Sequence, residues 1–182
     1  MEELFAATEA RVVSAFKVAK CTPSTGSTWN AKKKLPKTKG KPRVLCLTAE
    51  RRSKRRGFKG SVHICKLDAG RFQVRNTYLL KFLTRMEALT DPSKPNQPQF
   101  LELWFSNNAF TSESRFAFEI EDTESLQEAM GTIYLFCKRN ERKVPAVVGA
   151  EASNVEKWGA QAERSNEGSD FGATLLSADE AG

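Results

Sequence analysis

The sequence is poor in the residues on which most catalytic and metal sites depend. Its 182 residues include one histidine, His63, and four cysteines that form no close-spaced pair. A zinc site needs several such ligands at short spacing, and common acid–base catalysis needs a histidine, paired carboxylates or an activated nucleophile. His63 stands alone in a strand-like run, where we expect it to be half exposed. We therefore predict no enzyme, no metal site and no cofactor.

Signals for membrane spanning and for secretion are also missing. The chain contains no apolar run of about 18 residues, no signal-peptide pattern and no N-glycosylation acceptor. Cys46 and Cys65 fall instead within short apolar runs, which favours buried free thiols in a reducing compartment. We expect a soluble, intracellular protein.

What the sequence does contain is an uneven distribution of charge. Between Arg11 and Lys66 stand seventeen Lys or Arg residues and a single acid, Glu50, in a chain whose formal net charge is +7. The remainder of the chain holds twelve bases and 21 acids. Such a charge map indicates a polyanionic partner, either a membrane surface or a nucleic acid.

Apolar alternation predicts seven strands after a short leading helix at 1–10. The segment 81–90 is the least clear, because Leu83, Met86 and Leu89 also fit a helical turn; we favour a short strand after a turn. The predicted strands cover 11–20, 42–48, 60–67, 71–79, part of 81–90, 99–105 and 114–120.

One amphipathic helix is predicted to follow the strands. Asp122 or Thr123 offers an N-cap, and Asn140 suits a left-handed residue at the C-terminus. Gly131 inside the helix indicates either a close backbone contact or simple tolerance of glycine. Seven antiparallel strands and one C-terminal helix are the element order of a pleckstrin-homology barrel, so we predict such a closed barrel over 11–140.

The remaining residues are predicted to lie outside the barrel. The segment 141–160 fits an extra strand or loop and then a helix that packs Val155 and Trp158 on the barrel flank, although a linker is the alternative. The segment 161–182 is acidic and lacks an apolar period, which predicts a disordered tail.

A cluster of cations is predicted where the first two strands meet. In KGKPRVLCL, period two places Lys41 and Arg43 on the face of Leu45. A hairpin would bring Lys20, at the end of the first strand, beside them. Lys17 belongs to the other face of that strand and is a weaker candidate. Three cations at the end of the first strand and the start of the second resemble the phosphoinositide-binding pattern of the pleckstrin-homology superfamily.

Four longer segments resemble one family. KPRVLCLTAE, GRFQVRNTYLLKFLTRMEAL, PQFLELWF and FCKRNERKVPAVVG are similar to the exocyst subunit with an N-terminal phosphoinositide-binding pleckstrin-homology domain. The resemblance covers about 11–158 and implies recruitment of a vesicle-tethering complex to the inner face of the plasma membrane through phosphatidylinositol 4,5-bisphosphate. It also implies contact with other exocyst subunits through regions absent from this chain and, in some members, with a Rho-type GTPase. On this resemblance Lys20, Lys41 and Arg43 match the phosphoinositide motif.

Two basic runs are predicted to add membrane attraction from neighbouring hairpins around this site. Each Lys or Arg near an anionic leaflet contributes about 1 kcal/mol before salt screening. The alternative is a nucleic-acid-binding or nuclear protein, against which stands the lack of an aromatic stacking motif. The cations assigned to this surface are Lys32, Lys33, Lys34, Lys37, Lys39, Arg51, Arg52, Lys54, Arg55 and Arg56.

Overall fold

The computed structural model describes residues 5, 10–23, 36–51, 57–89, 99–106, 113–141, 143–149 and 152–166. Within these ranges, the side chains of residues 37–39 and 166 are left out of the description. Apart from Phe5 and Ala10, the predicted leading helix lies outside the described residues, and so does the tail beyond 166.

The described chain forms eight strands and two α-helices. All seven predicted strands are confirmed, and the segment 81–90 is a strand that follows a 3-10 turn at Leu80–Phe82. The elements are β1 Ala10–Thr22, β2 Lys37–Arg51, β3 Phe58–Asp68, β4 Arg71–Leu79, β5 Leu83–Leu89, β6 Gln99–Ser106, β7 Glu113–Ile120, α1 Thr123–Asn140, β8 Ala146–Val148 and α2 Val155–Asn166.

The predicted closed seven-stranded antiparallel barrel is wrong. The strands form one eight-stranded sheet in the order β4-β3-β2-β1-β7-β6-β5-β8, and within the described residues its terminal strands β4 and β8 do not pair with each other. The sheet is also mixed, because β8 runs parallel to β5 while the other neighbours are antiparallel. Alternation in a sequence specifies which face each side chain occupies, but it does not specify whether the outermost strands meet.

The sheet has a core face and an outer face. The core face carries alternate apolar residues such as Phe16, Leu45 and Ile64, which pack with the apolar stripe of α1. The outer face of β2 and β3 carries Cys46, Cys65 and His63, over which Phe5 packs. All four cysteines are free and buried, as predicted for Cys46 and Cys65.

His63 is not the half-exposed residue that the alternation predicted. It is 8% exposed, and its two ring nitrogens lie 2.8 Å from the Thr48 hydroxyl and 2.9 Å from the Thr77 hydroxyl. The Phe5 ring centroid lies 4.6 Å away. Burial lowers the pKa of His63 to about 4. These partners give the histidine a structural role between three strands and the N-terminal segment.

Helix α1 begins as predicted and ends differently. The Asp122 carboxylate accepts a hydrogen bond from the Ser125 backbone N–H at 2.7 Å, which caps the N-terminus. Asn140, however, is the last helical residue, and Ala69 is the only described non-glycine residue with positive φ. The left-handed conformation expected of Asn140 is therefore absent. Neither described helix is long and apolar enough to cross a bilayer.

A glycine contact joins α2 to α1. A Cβ atom at Gly131 would lie 2.2 Å from the Gly159 backbone nitrogen, so the close backbone contact considered for Gly131 is observed. Val155 and Trp158 of α2 are buried in the main core. Helix α2 ends at Asn166, so it includes residues 161–166, which were predicted to belong to the disordered tail. The two helices together, rather than one, cover the core.

Candidate anion-binding site

Three of the predicted site residues meet at one end of the β1–β2 pair. Lys20 lies directly opposite Lys41, and Val18 lies directly opposite Arg43. Because Val18 belongs to the main core, this register places Arg43 and, two residues further along, Lys41 and Lys20 on the core face. We call Lys20, Lys41 and Arg43 the cation cluster, and this end of β2 the hairpin end.

The cation cluster is held without neutralising carboxylates. The Lys20 ammonium lies 5.4 Å from the centroid of the Phe116 ring, where the ring face attracts a cation. Arg43 donates one Nη1–H to the Pro42 carbonyl at 2.6 Å, one of the five N–H groups of its guanidinium. In the part of the chain that the structure describes, none of the three cations forms a salt bridge. The cluster is therefore a group of available hydrogen-bond donors.

Lys17 is not brought to the cluster. It pairs with Val44, which packs against the outer-face cluster of Phe5, Cys46 and Cys65. Its side chain consequently projects from the opposite face of the sheet to that of Lys20. A single ligand on the core face at the hairpin end cannot be held by Lys17 together with the other three.

Arg51, the one cation of the second basic run that the structure describes, lies at the other end of β2. Arg51 pairs with Phe58, ten residues along the strand from Lys41, which corresponds to about 33 Å. The expectation that Arg51 lies around the same site as the cation cluster is therefore wrong, because an antiparallel strand carries its two connections at opposite ends. Lys32, Lys33, Lys34, Arg52, Lys54, Arg55 and Arg56 lie outside the described residues, as do the side chains of Lys37 and Lys39.

This other end, which we call the helix end, is closed by α1. Asn140 Oδ1 accepts a hydrogen bond from the Phe58 N–H at 3.1 Å, and Glu141 Oε1 accepts one from the Gly60 N–H at 3.1 Å. A Cβ atom at Gly60 would lie 2.3 Å from the Phe136 ring. Among the residues that the structure describes at this end, the backbone donors of Phe58 and Gly60 already have side-chain acceptors, and Phe136 fills the space beside Gly60.

Sequence reasoning missed one cation on the core face. The alternation of Val62 and Ile64 continues to Lys66, which lies at the hairpin end because β2 and β3 pair in antiparallel register at Val44 and Cys65. Its ammonium forms a 2.9 Å salt bridge with Asp68. The period-two pattern of β3 was sufficient to find Lys66, but only the strand order shows that it approaches the cluster.

Another charged group lies on β5–β7 and is already neutralised. Glu102 is fully buried and accepts hydrogen bonds from Arg115 Nε at 2.9 Å and from its Nη2 group. The Trp104 ring lies against Arg115 at 4.4 Å and against Arg85 at 5.2 Å. This group stabilises the sheet, whereas the cation cluster forms no salt bridge with any residue that the structure describes.

Comparisons with known proteins add little to this geometry. No protein-family model matches the chain. No curated protein sequence matches it either. Among solved structures, the chain is similar to the hSac2 domain from human phosphoinositide phosphatase Sac2, with 8% sequence identity and a TM-score of 0.48 over 78% of this chain and 77% of that one.

Proposed function

We propose that this protein binds the headgroup of a phosphoinositide, foremost phosphatidylinositol 4,5-bisphosphate, and thereby attaches to the inner face of the plasma membrane. The observation that carries the proposal is the cation cluster, in which Lys20 and Lys41 oppose each other directly and Arg43 follows on the same face. Like charges at directly opposite positions destabilise a strand pair. A bound polyanion removes that repulsion.

The chemistry of the three side chains fits a phosphorylated ring. Arg43 can donate two parallel N–H groups to one phosphate, and the lysines supply mobile point charges for a second. Lys20 and Arg43 are half-buried, and Lys41 is exposed. Solvent exposure therefore increases from Lys20, which lies beside the Phe116 ring, to Lys41. Partial burial strengthens the attraction for a doubly phosphorylated ligand relative to a free surface charge.

The cellular role follows from the sequence resemblance. We propose that the domain belongs to an exocyst-type vesicle-tethering subunit and recruits that complex to sites of exocytosis. Contact with other subunits, or with a Rho-type GTPase, is part of the same proposal. Reversing charge at the hairpin end is expected to abolish membrane recruitment without unfolding the domain, because the three cations are not part of the apolar core.

Vesicle co-sedimentation tests the binding proposal. The protein is mixed with vesicles containing phosphatidylinositol 4,5-bisphosphate, with charge-matched phosphatidylserine vesicles, and with a short RNA. The test variant is Lys41→Glu with Arg43→Glu. The control is Lys143→Glu with Lys157→Glu, which changes the net charge equally at exposed positions outside the cluster and outside the two basic runs.

The proposal predicts selective binding to the phosphoinositide vesicles and a loss of at least about tenfold in the test variant. The control variant should bind within about twofold of wild type, since distant surface charges are screened in physiological salt. Equal binding to all three polyanions, unchanged in the test variant, would exclude the headgroup site and favour a nucleic-acid surface.

A further inference from the structure

The β3–β4 hairpin carries an exposed apolar side chain beside the cation cluster. Leu67 is 57% exposed, and Val74, on the same hairpin, is 38% exposed. Among the described residues, the other large exposed apolar side chains are Val144 and Val148. Burial of this side chain in an apolar phase would therefore be favourable, in proportion to the apolar area removed from water.

Register places this tip at the hairpin end of β2. The β2–β3 pairing at Val44 and Cys65 runs antiparallel, so Leu67 lies two residues beyond Cys65 in the direction of Lys41. Adjacent strands lie about 4.8 Å apart, which brings the tip to the rim that holds the cation cluster. Leu67 faces the outer side and the cluster faces the core side of the same rim.

The turn itself is strained at its first central residue. Asp68 pairs with Arg71, and the two residues between them, Ala69 and Gly70, have φ of 47° and 75°. Two consecutive positive φ angles define a type I′ turn, which normally contains Asn or Gly at the first position. Alanine there costs about 1–2 kcal/mol and keeps the tip small and apolar.

The charge of the tip suits an anionic surface rather than another strand. Asp68 is neutralised by the 2.9 Å salt bridge with Lys66, which leaves Arg71 as the free charge of the turn among the described residues. The β4 edge also contains Arg75 at a register irregularity, and cations and bulges on an edge strand oppose pairing with a further strand.

We propose that the tip of the β3–β4 hairpin, Leu67 to Arg71, inserts into the headgroup and acyl boundary of the membrane while the cation cluster holds the lipid headgroup. Phe72 pairs with Leu67 and packs against the outer-face cluster, so it anchors the inserted residue to the fold. An apolar residue flanked by Lys66 and Arg71 gains both burial and attraction to anionic lipid. This inference rests on the proposed phosphoinositide function.

The test separates insertion from headgroup binding. Binding to phosphatidylinositol 4,5-bisphosphate vesicles and to soluble inositol 1,4,5-trisphosphate is measured for wild type, Leu67→Ser and the control Val148→Ser. Val148 is 36% exposed and lies in β8, at the opposite edge of the sheet. Because both side chains are exposed, neither substitution removes core packing.

Leu67→Ser should bind vesicles about tenfold more weakly and bind the trisphosphate like wild type, and Val148→Ser should change neither. In a second measurement, Leu67→Trp should add fluorescence that brominated acyl chains quench. Equal vesicle affinity of Leu67→Ser and wild type would overturn insertion. Failure of wild type to bind the trisphosphate would overturn the headgroup site, and the vesicle comparison would still decide insertion. Failure of wild type to bind vesicles would overturn both.

Discussion

The hairpin end and the helix end of β2 and β3 both carry positive charge, but they differ in what surrounds it. At the helix end, Lys59 forms a salt bridge with Glu50, and the backbone donors of β3 are taken by side chains from the C-terminus of α1. At the hairpin end, Lys20, Lys41 and Arg43 share a face and form no salt bridge with any described residue. The comparison shows that the number of cations in a stretch does not define a site, because partners and strand ends decide which charges remain available.

The largest expected effect concerns packing at the helix end. Gly60→Val should lower the free energy of unfolding by about 3 kcal/mol, because even a Cβ atom would lie 2.3 Å from the Phe136 ring and 2.7 Å from Leu80. The matched change at the hairpin end is Gly70→Asn, which meets no atom within 4 Å and should cost about 1 kcal/mol or less. Urea denaturation measures both. Similar losses of stability in the two variants would contradict the difference in packing between the helix end and the hairpin end.

The next effect concerns the polar contacts that close the helix end. Glu141→Ala removes the acceptor of the buried Gly60 N–H and should cost about 2 kcal/mol. Glu141→Gln keeps an acceptor oxygen and should cost clearly less. The comparison of the two denaturation midpoints tests the contact. If alanine and glutamine behave alike, the hydrogen bond does not contribute to closure.

A pH titration probes the outer face between the two ends. The folded pKa of His63 is lowered to about 4 by burial, below its ordinary value of 6.5, so the unfolded chain binds the proton more readily. The stability that neutral His63 contributes is therefore complete above pH 6.5 and is lost as the pH falls toward 4. The difference between the urea midpoints of wild type and His63→Gln should shrink or change sign as the pH falls from 6.5 to 4. A constant difference between them would contradict the assigned burial.

The smallest expected effect concerns repulsion within the cation cluster. Lys41→Gln removes one of two directly opposed ammonium groups and should raise stability by about 0.3 kcal/mol at low salt. The gain should vanish at high salt, where the repulsion is screened. Thermal melting at two ionic strengths measures this difference. A loss of stability at low salt would show that Lys41 already has a stabilising partner.

The sequence was informative about local structure and about the three cations. The period of two located all seven predicted strands, and the same alternation placed Lys41 and Arg43 on the face of Leu45. The Asp122 cap was also predictable, because a cap depends on residue types within the first turn of the helix. For Gly131 the sequence left a close contact and simple tolerance open, because its partner, Gly159, lies in the other helix.

Long-range geometry could not be predicted in the same way. The open order of the sheet and the parallel pairing of β8 with β5 depend on which edges meet, and side-chain alternation does not encode this. Closeness in sequence suggested that Arg51 lies near the cation cluster, although it stands at the other end of β2, a strand of 15 residues. His63 was misjudged because its hydroxyl partners, Thr48 and Thr77, come from neighbouring strands.

The most direct test of the central claim is an NMR titration of backbone amides with inositol 1,4,5-trisphosphate. The largest shifts should occur at the hairpin end, at Lys20, Lys41 and Arg43, and they should disappear in Lys41→Glu with Arg43→Glu. Amides of the helix end, including Phe58 and Gly60, should remain unchanged. Shifts centred on the helix end, or spread evenly over both ends, would contradict the claim that the hairpin end is the anion-binding site.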